Sequence, residues 1–600
     1  MPPQAFTETR SMIESHSLSR SSCSTPTSAM ARREDRFVTN YDALKLVFAH
    51  FIPPLADPDE STPLLSIDGH KQLFYLSLAN KAFCEPALDC LWLNLPSLTP
   101  ILKLHPAPLI VPGVYSFRSV DAQKLATFRR YSRRVRGLRL GHGADGGIPL
   151  PHISLAGYAW LGRQVGAGEK MLPGLRDIQL CNVSSDDSKE LAFIPLLLSP
   201  SIESVSFRGA FTLDAIFVSF TLPLVCDEAQ SVRRLSIQST SLHDREPDNG
   251  IWDSLINAVA ATSLGDLNLQ LPPIHTMPPS FLKRLASSRG FRNVTTLTLD
   301  VHTAQHTPSN DIPSLQHPLP ALTEVNIINR SEANLCPCYP HYLLRRATSI
   351  TFVLSQSILS SDAFTAAVDF LCSVWPLKRV AFEMDGAASG IAISPEALLP
   401  FFRIALRELH IGVSGLWNRD LKRGAEIVEL IDGMRGRGGQ TRNQLHSLVL
   451  PIMRPRPLHG HTFRRGASTQ ALPLYPAIAS LLDVARGARG LRHIRISIDS
   501  SVVSVDDGTL QSILDRWSKG CYPSDLRHLE LADMRPSGMN FTPRECRSIS
   551  RLLDAIFPKL EELTTVKIEG VKNTWDEYWE HIEEYRKLEK CVRLYRFGIQ

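Results

Sequence analysis

A six-residue pattern recurs through most of the chain and limits what the chain can fold into. The pattern is L-x-x-Φ-x-Φ, where Φ is apolar, and its central apolar residues run from position 138 to position 566 in 13 steps, about 33 residues apart. Repeats of this length are typical of arrays in which each unit packs only against its neighbours. The copies are VRGLRL, LRDIQL, IESVSF, VRRLSI, LGDLNL, VTTLTL, LTEVNI, ATSITF, LKRVAF, LRELHI, LHSLVL, LRHIRI, LRHLEL and LTTVKI.

The alternation Φ-x-Φ within each copy predicts a β-strand that is buried on one face only. The residue between the two apolar positions should then point away from the core. Twelve of these fourteen residues are polar, which is what a sheet with one solvated face requires. In chain order they are Arg139, Gln179, Ser206, Ser236, Asn268, Thr298, Asn326, Thr351, Ala381, His410, Val449, Arg495, Glu530 and Lys567.

Segments between the strands have the apolar spacing of amphipathic helices. They are residues 251–260, 361–374, 508–517 and 542–557. The last of them opens with a capping box, Thr542 to Glu545, and has proline at its first helical position. Strand and helix repeated every 33 residues predict an α/β solenoid of about 14 units over residues 135–570, with parallel strands on one face and helices on the other. The unit resembles an irregular leucine-rich repeat, which implies an uneven horseshoe.

The chain ends in a segment, residues 571–600, that we expect to form a capping helix. Thr574 and Glu577 have capping-box spacing, with acidic residues early and basic residues late, as the helix dipole favours. A solenoid needs such a cap over its last unit. A partner-binding helix is the alternative. The predicted apolar face consists of Trp575, Tyr578, Ile582, Tyr585 and Leu588.

Composition excludes several classes of protein. A net charge of +5 over 600 residues is too small to indicate a nucleic-acid binder, and no apolar run approaches the roughly 20 residues that span a bilayer. Eleven scattered cysteines are typical of reduced thiols in a cytoplasmic or nuclear protein rather than of a secreted disulfide framework. Residues 1–36 are rich in Ser, Thr and Pro and predict a disordered tail.

Motifs for catalysis, phosphate binding or zinc binding are missing from the sequence. A phosphate-binding glycine loop, a zinc-protease motif and a nucleophile elbow are all absent. Two groups of possible metal ligands lack a partner set at suitable spacing. We therefore predict no catalytic residue, no metal and no cofactor, and a protein that is not an enzyme. The two groups are Cys336, Cys338 and His341, and Asp300, His302 and His306.

The segment ahead of the repeats, residues 37–106, predicts a small helical domain, and residues 107–134 predict a linker helix. Apolar residues recur at helical spacing in 41–55 and in 70–92, and Pro53-Pro54 stops the first helix. Three short helices form too small a core to be stable alone. We therefore expect something else to cover much of their apolar surface.

This segment resembles the F-box of a large family of F-box proteins in mushroom-forming fungi, which continue into irregular leucine-rich repeats. The resemblance lies in VFxHFxPP, LxxLxLxxKAFxEPALDxLW and LxSLxPILKLHP, between residues 41 and 106. It implies docking on a Skp-type adaptor and, through it, on a cullin-RING ubiquitin ligase. By motif position it implies these adaptor-facing residues: Val47, Phe48, Phe51, Ile52, Leu76, Leu78, Leu91 and Trp92.

The same resemblance implies that the repeats hold the substrate. The charged or titratable residues of the outward row are the expected substrate face, and their mixed charge favours a protein partner over nucleic acid or a membrane. One alternative is a repeat scaffold outside any ligase. Another is an enzyme or ligand binder whose site lies in the basic segments 433–444 and 451–470. The expected substrate-facing residues are Arg139, His410, Arg495, Glu530 and Lys567.

Overall fold

The chain forms two compact units, Met1–Asn94 and Leu95–Gln600. The computed structural model describes residues 40–51, 67–104 and, with gaps, 108–596. The predicted boundary at residue 106 is too late, because Leu98, Ile101 and Leu102 are buried in the second unit. The longer gaps are residues 1–39, 52–66, 142–151, 154–162, 182–190, 240–248, 271–280, 301–319, 330–345, 418–444, 455–477, 501–523 and 567–574.

The described part of the first unit consists of three helices, α1 (Tyr41–Ala49), α2 (Ile67–Ala79) and α3 (Lys81–Leu91). The side chain of Asn40 accepts hydrogen bonds from the first turn of α1, and Asn80 does the same for α3. Helices α1 and α2 both pack on α3. The core between them is small, as predicted, and consists of Leu44, Phe48, Leu73, Ala87 and Cys90.

The second unit is built on a 15-stranded sheet whose strand order follows the chain. Every pairing from the strand Gly137–Gly141 to the strand Glu562–Thr565 is parallel. The strands are β1 (Asn94–Leu95), β4 (Gly137–Gly141), β6 (Asp177–Cys181), β7 (Ser204–Arg208), β8 (Arg234–Gln238), β9 (Asp266–Gln270), β10 (Thr296–Asp300), β11 (Glu324–Asn329), β12 (Ser349–Ser355), β14 (Arg379–Asp385), β16 (Glu408–Ile411), β18 (Ser447–Val449), β20 (His493–Ile498), β21 (His528–Asp533) and β22 (Glu562–Thr565).

The register of this sheet confirms the repeat from its first copy to its thirteenth. Each predicted central apolar residue from Leu138 to Leu529 lies directly opposite the next, for example Leu267 opposite Leu297. These residues are almost fully buried, and the polar residues beside them are more exposed, as in β6. Ala381 and Val449, the two apolar members of the outward row, are fully buried. Each central leucine contributes about 1.5–3 kcal/mol by leaving water. An α/β fold of solenoid type is therefore present in the second unit.

The fourteenth copy of the repeat was predicted in the wrong register. Leu563, not Val566, lies opposite Leu529, and Leu560 takes the first apolar position of the unit with 1% exposure. The outward residue of this strand is consequently Thr564. Lys567, which the pattern placed there, lies outside the described residues. The error arose because LTTVKI (563–568) fits the pattern fully, whereas the stretch that forms the strand, LEELTT (560–565), has Thr565 at its last apolar position. Only pairing with β21 selects the second stretch.

Two smaller sheets accompany the main one. A parallel sheet of four short strands contains β13 (Ile358–Leu359), β15 (Gly390–Ile393), β17 (Ser414–Trp417) and β19 (Ile452–Arg454). A three-stranded sheet contains β2 (Pro108–Val111), β3 (Val114–Phe117) and β5 (His152–Ile153). Because β2 and β3 form an antiparallel pair, the predicted linker helix over 107–134 is wrong in its first half. The helix occupies only Ala122–Ser132.

Helices and tight turns cover the inward face of the main sheet. Phe364 of the helix Ser361–Ser373 contacts the strand residue Phe382, with ring centroids 5.1 Å apart, and Phe217 contacts Phe207 at 4.8 Å. Numbered in chain order, the helices of this unit are α4 (Thr99–Lys103), α5 (Ala122–Ser132), α6 (Ile194–Leu197), α7 (Leu222–Glu228), α8 (Asn249–Ala261), α9 (Ser361–Ser373), α10 (Leu481–Gly487), α11 (Pro543–Ile556) and α12 (Asp576–Arg596). Helical segments of other types are the 3₁₀ segments Ala210–Leu213, Gly290–Asn293 and Pro395–Arg403 and the π-helical turn Phe217–Thr221.

The predicted helices at 251–260, 361–374 and 542–557 are present as α8, α9 and α11, and the capping box of α11 is formed on both sides. The helix predicted at 508–517 lies outside the described residues. No helix in the described part of the chain is both long and apolar enough to cross a membrane.

The C-terminal helix α12 packs against α11 and β22, which agrees with a capping role. Its buried face differs from the predicted one. Trp575 and Ile582 are buried as expected, but Leu588 is 61% exposed and Trp579 is buried in its place. Glu583 and Arg586 are also buried, and Arg586 forms ion pairs with Glu583 and Asp554. A polar pair at buried helix positions breaks the apolar pattern on which the prediction depended.

Candidate functional site

The outward face of the main sheet carries two rows of side chains, and the sequence analysis identified only one. The first row lies between the two apolar positions of each repeat and contains His410, Arg495 and Glu530. The second row lies one residue before the central apolar position of each repeat. Because side chains alternate along a strand, the second row faces the same way. It contains Glu408, Ser447, His493, His528 and Glu562 on the last five strands.

Three of the predicted substrate-facing residues lie close together. His410, Arg495 and Glu530 are on β16, β20 and β21, within four adjacent strands of the sheet. Neighbouring strands are about 4.8 Å apart, so the three residues span about 14 Å. Arg139 lies on β4, nine strands from His410 or about 43 Å, where its Nε donates to Gln179 at 3.1 Å. Arg139 therefore does not belong to the same site.

Glu530 is the centre of a cluster that joins three neighbouring strands. Its carboxylate lies 2.5 Å from Nε of Arg495 and 3.1 Å from Nε2 of His493. The other ring nitrogen of His493 lies 3.0 Å from Oγ of Ser447. With the ring proton on Nε2, His493 donates to the carboxylate and accepts from the Ser447 hydroxyl. All four side chains are half-buried.

The electrostatics of the cluster hold the carboxylate ionised. The hydrogen bond with His493, followed by the hydrogen bond and charge of Arg495, lowers the pKa of Glu530 to about 2 although burial opposes this. At His410 burial is the largest effect and lowers the pKa, and the guanidinium groups of Arg495 and Arg379 lower it further. The site therefore presents a carboxylate held by the Arg495 guanidinium and by the His493 ring, with His410 beside it neutral at pH 7.

Ser447, His493 and Glu530 follow the order hydroxyl, imidazole, carboxylate that serine hydrolases use. In those enzymes the carboxylate stabilises the imidazolium that forms during catalysis. Here Arg495 already pairs with the carboxylate, which weakens that support. We interpret the cluster as a fixed polar surface suited to binding. His493 and Ser447 were missed by the sequence analysis, and the alternation of the strand extended by one residue is the signal that finds them.

The predicted adaptor-facing residues divide into exposed and buried ones. Val47 and Leu78 are exposed, and Trp92 is half-buried. Phe48 is 3% exposed and belongs to the core of the first unit, so its prediction as a docking residue is wrong. Ile52 lies outside the described residues. The remaining three pack partly against that core, namely Phe51, Leu76 and Leu91.

Exposed apolar side chains that the motif did not single out lie beside Val47 and Leu78. Leu46 is next to Val47 on α1, while Phe74 and Tyr75 lie on the same side of α2 as Leu78, at i, i+1 and i+4 spacing. Phe74, Tyr75 and Leu78 are 53%, 66% and 69% exposed. We call these five residues, two on α1 and three on α2, the apolar surface of the first unit. The three on α2 are neighbours on one helix face, and contiguous exposed apolar groups mark interaction sites.

A metal centre is absent from the part of the chain that the structure describes, where no three His, Cys, Asp or Glu side chains are placed to hold an ion. Most of the possible ligands named in the sequence analysis lie outside that part, so the prediction that they hold no metal is untested. These residues are His302, His306, Cys336, Cys338 and His341. Comparison of the chain with models of protein families and with curated proteins found no match to either.

Proposed function

We propose that this protein is the substrate-recognition subunit of a cullin-RING ubiquitin ligase. In this proposal the first unit docks on a Skp-type adaptor and the outward face of the repeat sheet binds a protein substrate. The chain itself performs no chemistry. It raises the local concentration of substrate lysines beside a charged ubiquitin carrier that partner subunits supply.

The observation that carries the proposal is the apolar surface of the first unit. Leu46, Val47, Phe74, Tyr75 and Leu78 leave large side chains in water on a domain whose own core contains few residues. An isolated domain gains nothing from such exposure, whereas a docking partner would bury it. The surface lies within the segment that resembles an F-box, and Val47 and Leu78 belong to both.

The outward face of the sheet supports the second half of the proposal. Its residues are polar on most strands, and the backbone behind them is held by continuous parallel pairing. Repeat arrays commonly present such faces to extended partners. The Glu530 cluster adds fixed charges at defined positions, which favour recognition of one partner over others.

Binding to a Skp-type adaptor tests the proposal directly. We would co-express the full chain with the adaptor and compare wild type with the double variant Phe74→Asp/Leu78→Asp. Both side chains are exposed, so the variant should fold. Loss of two apolar contacts of hot-spot size, at about 2 kcal/mol each, weakens binding by roughly 1000-fold. Leu91→Ala is a poorer choice, because Leu91 packs against the core of the unit and its loss would destabilise the fold.

Phe220→Asp is the matched control, since Phe220 is 64% exposed in the second unit. It should bind the adaptor like wild type. If wild type fails to bind any Skp-type adaptor while the repeats are folded by circular dichroism, the ligase proposal is wrong. The scaffold alternative would then stand.

A further inference from the structure

A row of five basic side chains crosses the C-terminal part of the sheet at the start of its strands. The residues are Lys378, Arg407, His446, Arg492 and Arg527, each one residue before β14, β16, β18, β20 or β21. We call this set the basic row. The peptide N–H of Arg407 donates to the carbonyl of Lys378, and the same bond joins each later member to the one before it, at 2.7–2.8 Å. These bonds stack the five residues in register, so the row is about 19 Å long at a strand spacing of about 4.8 Å.

Four members of the basic row form no ion pair with a described carboxylate, whereas Arg527 pairs with Glu561 at 3.1 Å. The charges of Arg492 and Arg527 also act on Asp525, which itself pairs with Lys559. Lys378, Arg407 and Arg492 are exposed, and no described carboxylate lies within 4 Å of their charged groups. Neighbouring carboxylates are already committed elsewhere. Glu408 pairs with Arg379 at 3.5 Å, and Glu530 pairs with Arg495 and His493.

The same position is neutral in the middle of the sheet. On β9, β10, β11 and β12 the corresponding residues are Gly265, Thr295, Thr323 and Thr348. On β4, β6 and β8 this position is arginine again, but Glu203 on β7 interrupts that series. The strands β14 to β21 therefore carry the longest unbroken series of basic residues at this position among the described strands.

We propose that the basic row binds an acidic, extended segment of a partner protein, one rich in Asp or Glu. The inference rests on the proposed function in that it names the class of substrate that the strand-start edge of the repeat sheet takes. In an extended peptide, alternate side chains point the same way about 6.8 Å apart, so four carboxylates cover about 20 Å. That length matches the basic row. The acidic segment runs across the strands, along the direction in which they stack.

A single-stranded nucleic acid is the other polyanion with this spacing, and the observations favour it less. Proteins that bind single strands combine cations with aromatic side chains on which the bases stack. The described outward residues of β14 to β21 include histidines but no Phe, Tyr or Trp. Carboxylates need no stacking surface, and arginine fits them with two parallel hydrogen bonds.

Fluorescence anisotropy with the full chain tests the inference. The probe is a labelled 12-residue peptide of alternating Glu and Ser, and the reference peptide has Gln in place of every Glu. Wild type should bind the acidic peptide and not the Gln peptide, and the affinity should fall as salt is added. The double variant Arg407→Glu/Arg492→Glu should weaken binding at least tenfold, because two attractions become two repulsions.

The matched control is Arg289→Glu/Arg292→Glu, which makes the same change in net charge at two exposed arginines outside the outward face. It should bind within twofold of wild type. Equal loss in both double variants would show a nonspecific charge effect and overturn the inference. So would tighter binding of a thymidine oligonucleotide that depends on the same arginines. The variant Arg407→Glu/Arg492→Glu should bind the adaptor like wild type. A failure of this inference can therefore be distinguished from a failure of the ligase proposal, because the two are measured with different binding partners.

Discussion

The C-terminal helix α12 is held to the sheet by a buried hydrogen-bond network, and Trp579→Phe tests how much that network contributes. Trp579 is 1% exposed, and its Nε1 donates to Oδ2 of Asp533 at 2.9 Å. The same carboxyl group accepts from Oγ of Ser500 at 2.6 Å and from the peptide N–H groups of Ser500 and Arg535. Phenylalanine fills most of the ring volume but cannot donate.

The cost of Trp579→Phe follows from two losses. A hydrogen bond to a charged group contributes about 1.5–3 kcal/mol, and the smaller ring leaves a small cavity that adds about 1 kcal/mol. The opening free energy of α12 should therefore fall by about 2.5–4 kcal/mol, which corresponds to a loss of about 70- to 900-fold in protection. Burial raises the pKa of Asp533 despite its four donors. Removing one donor raises that pKa further.

Hydrogen exchange followed by mass spectrometry measures this effect in peptides that cover Asp576–Arg596. Tyr595→Phe is the control, because Tyr595 lies on the same helix and is 91% exposed. It should leave protection unchanged. In the background of Asp533→Asn, Trp579→Phe should cost about 1 kcal/mol less, since the bond it removes is no longer to a charge. If Trp579→Phe and Tyr595→Phe exchange at the same rate, the network does not hold the helix and the reasoning is wrong.

Two further predictions concern the sheet. Because the pKa of Glu530 is lowered to about 2 from 4.5, its ionised form stabilises the fold above about pH 4.5, and this contribution is lost as the pH falls through about 2. Glu530→Gln should lower the free energy of unfolding by about 1–2 kcal/mol at pH 7, a figure that allows for a side chain one quarter exposed, and by less at pH 3. Equal losses of stability at the two pH values in thermal unfolding would contradict this. Leu267→Ala should lower the free energy of unfolding, measured with urea, by about 2–5 kcal/mol. Asn268→Ala, at the neighbouring outward position, should change that free energy by no more than about 0.5 kcal/mol. Similar costs for the two would mean that the faces of β9 are assigned incorrectly.

Local pattern alone predicted most of the main sheet. Thirteen strands from Leu138 to Leu529 follow from the alternation of apolar residues and the recurrence of the unit. This works because each strand pairs only with the units on either side, in parallel and in register. The information that places a strand is therefore contained in the strand itself. The outward positions follow from the same alternation.

Features that depend on contacts between different repeats of the sheet were not predictable in the same way. The two-residue strand Ile358–Leu359 is too short to stand out from its surroundings, and it exists because Gly390–Ile393 pairs with it. The last strand could be chosen only by pairing with β21. On α12 the buried residues include Glu583 and Arg586, which a helical pattern assigns to solvent.

The sequence by itself determined the repeated strand, its buried face and the polar character of the other face, because these depend on side-chain alternation within six residues. The tertiary structure alone decided which polar residues meet. Ser447, His493 and Glu530 are 46 and 37 residues apart along the chain, yet they lie within hydrogen-bond distance. Segments of variable length separate the repeated strands along the sequence. Only the pairing of the strands brings the outward residues of one repeat beside the outward residues of the next. The Glu530 cluster and the basic row are products of that pairing.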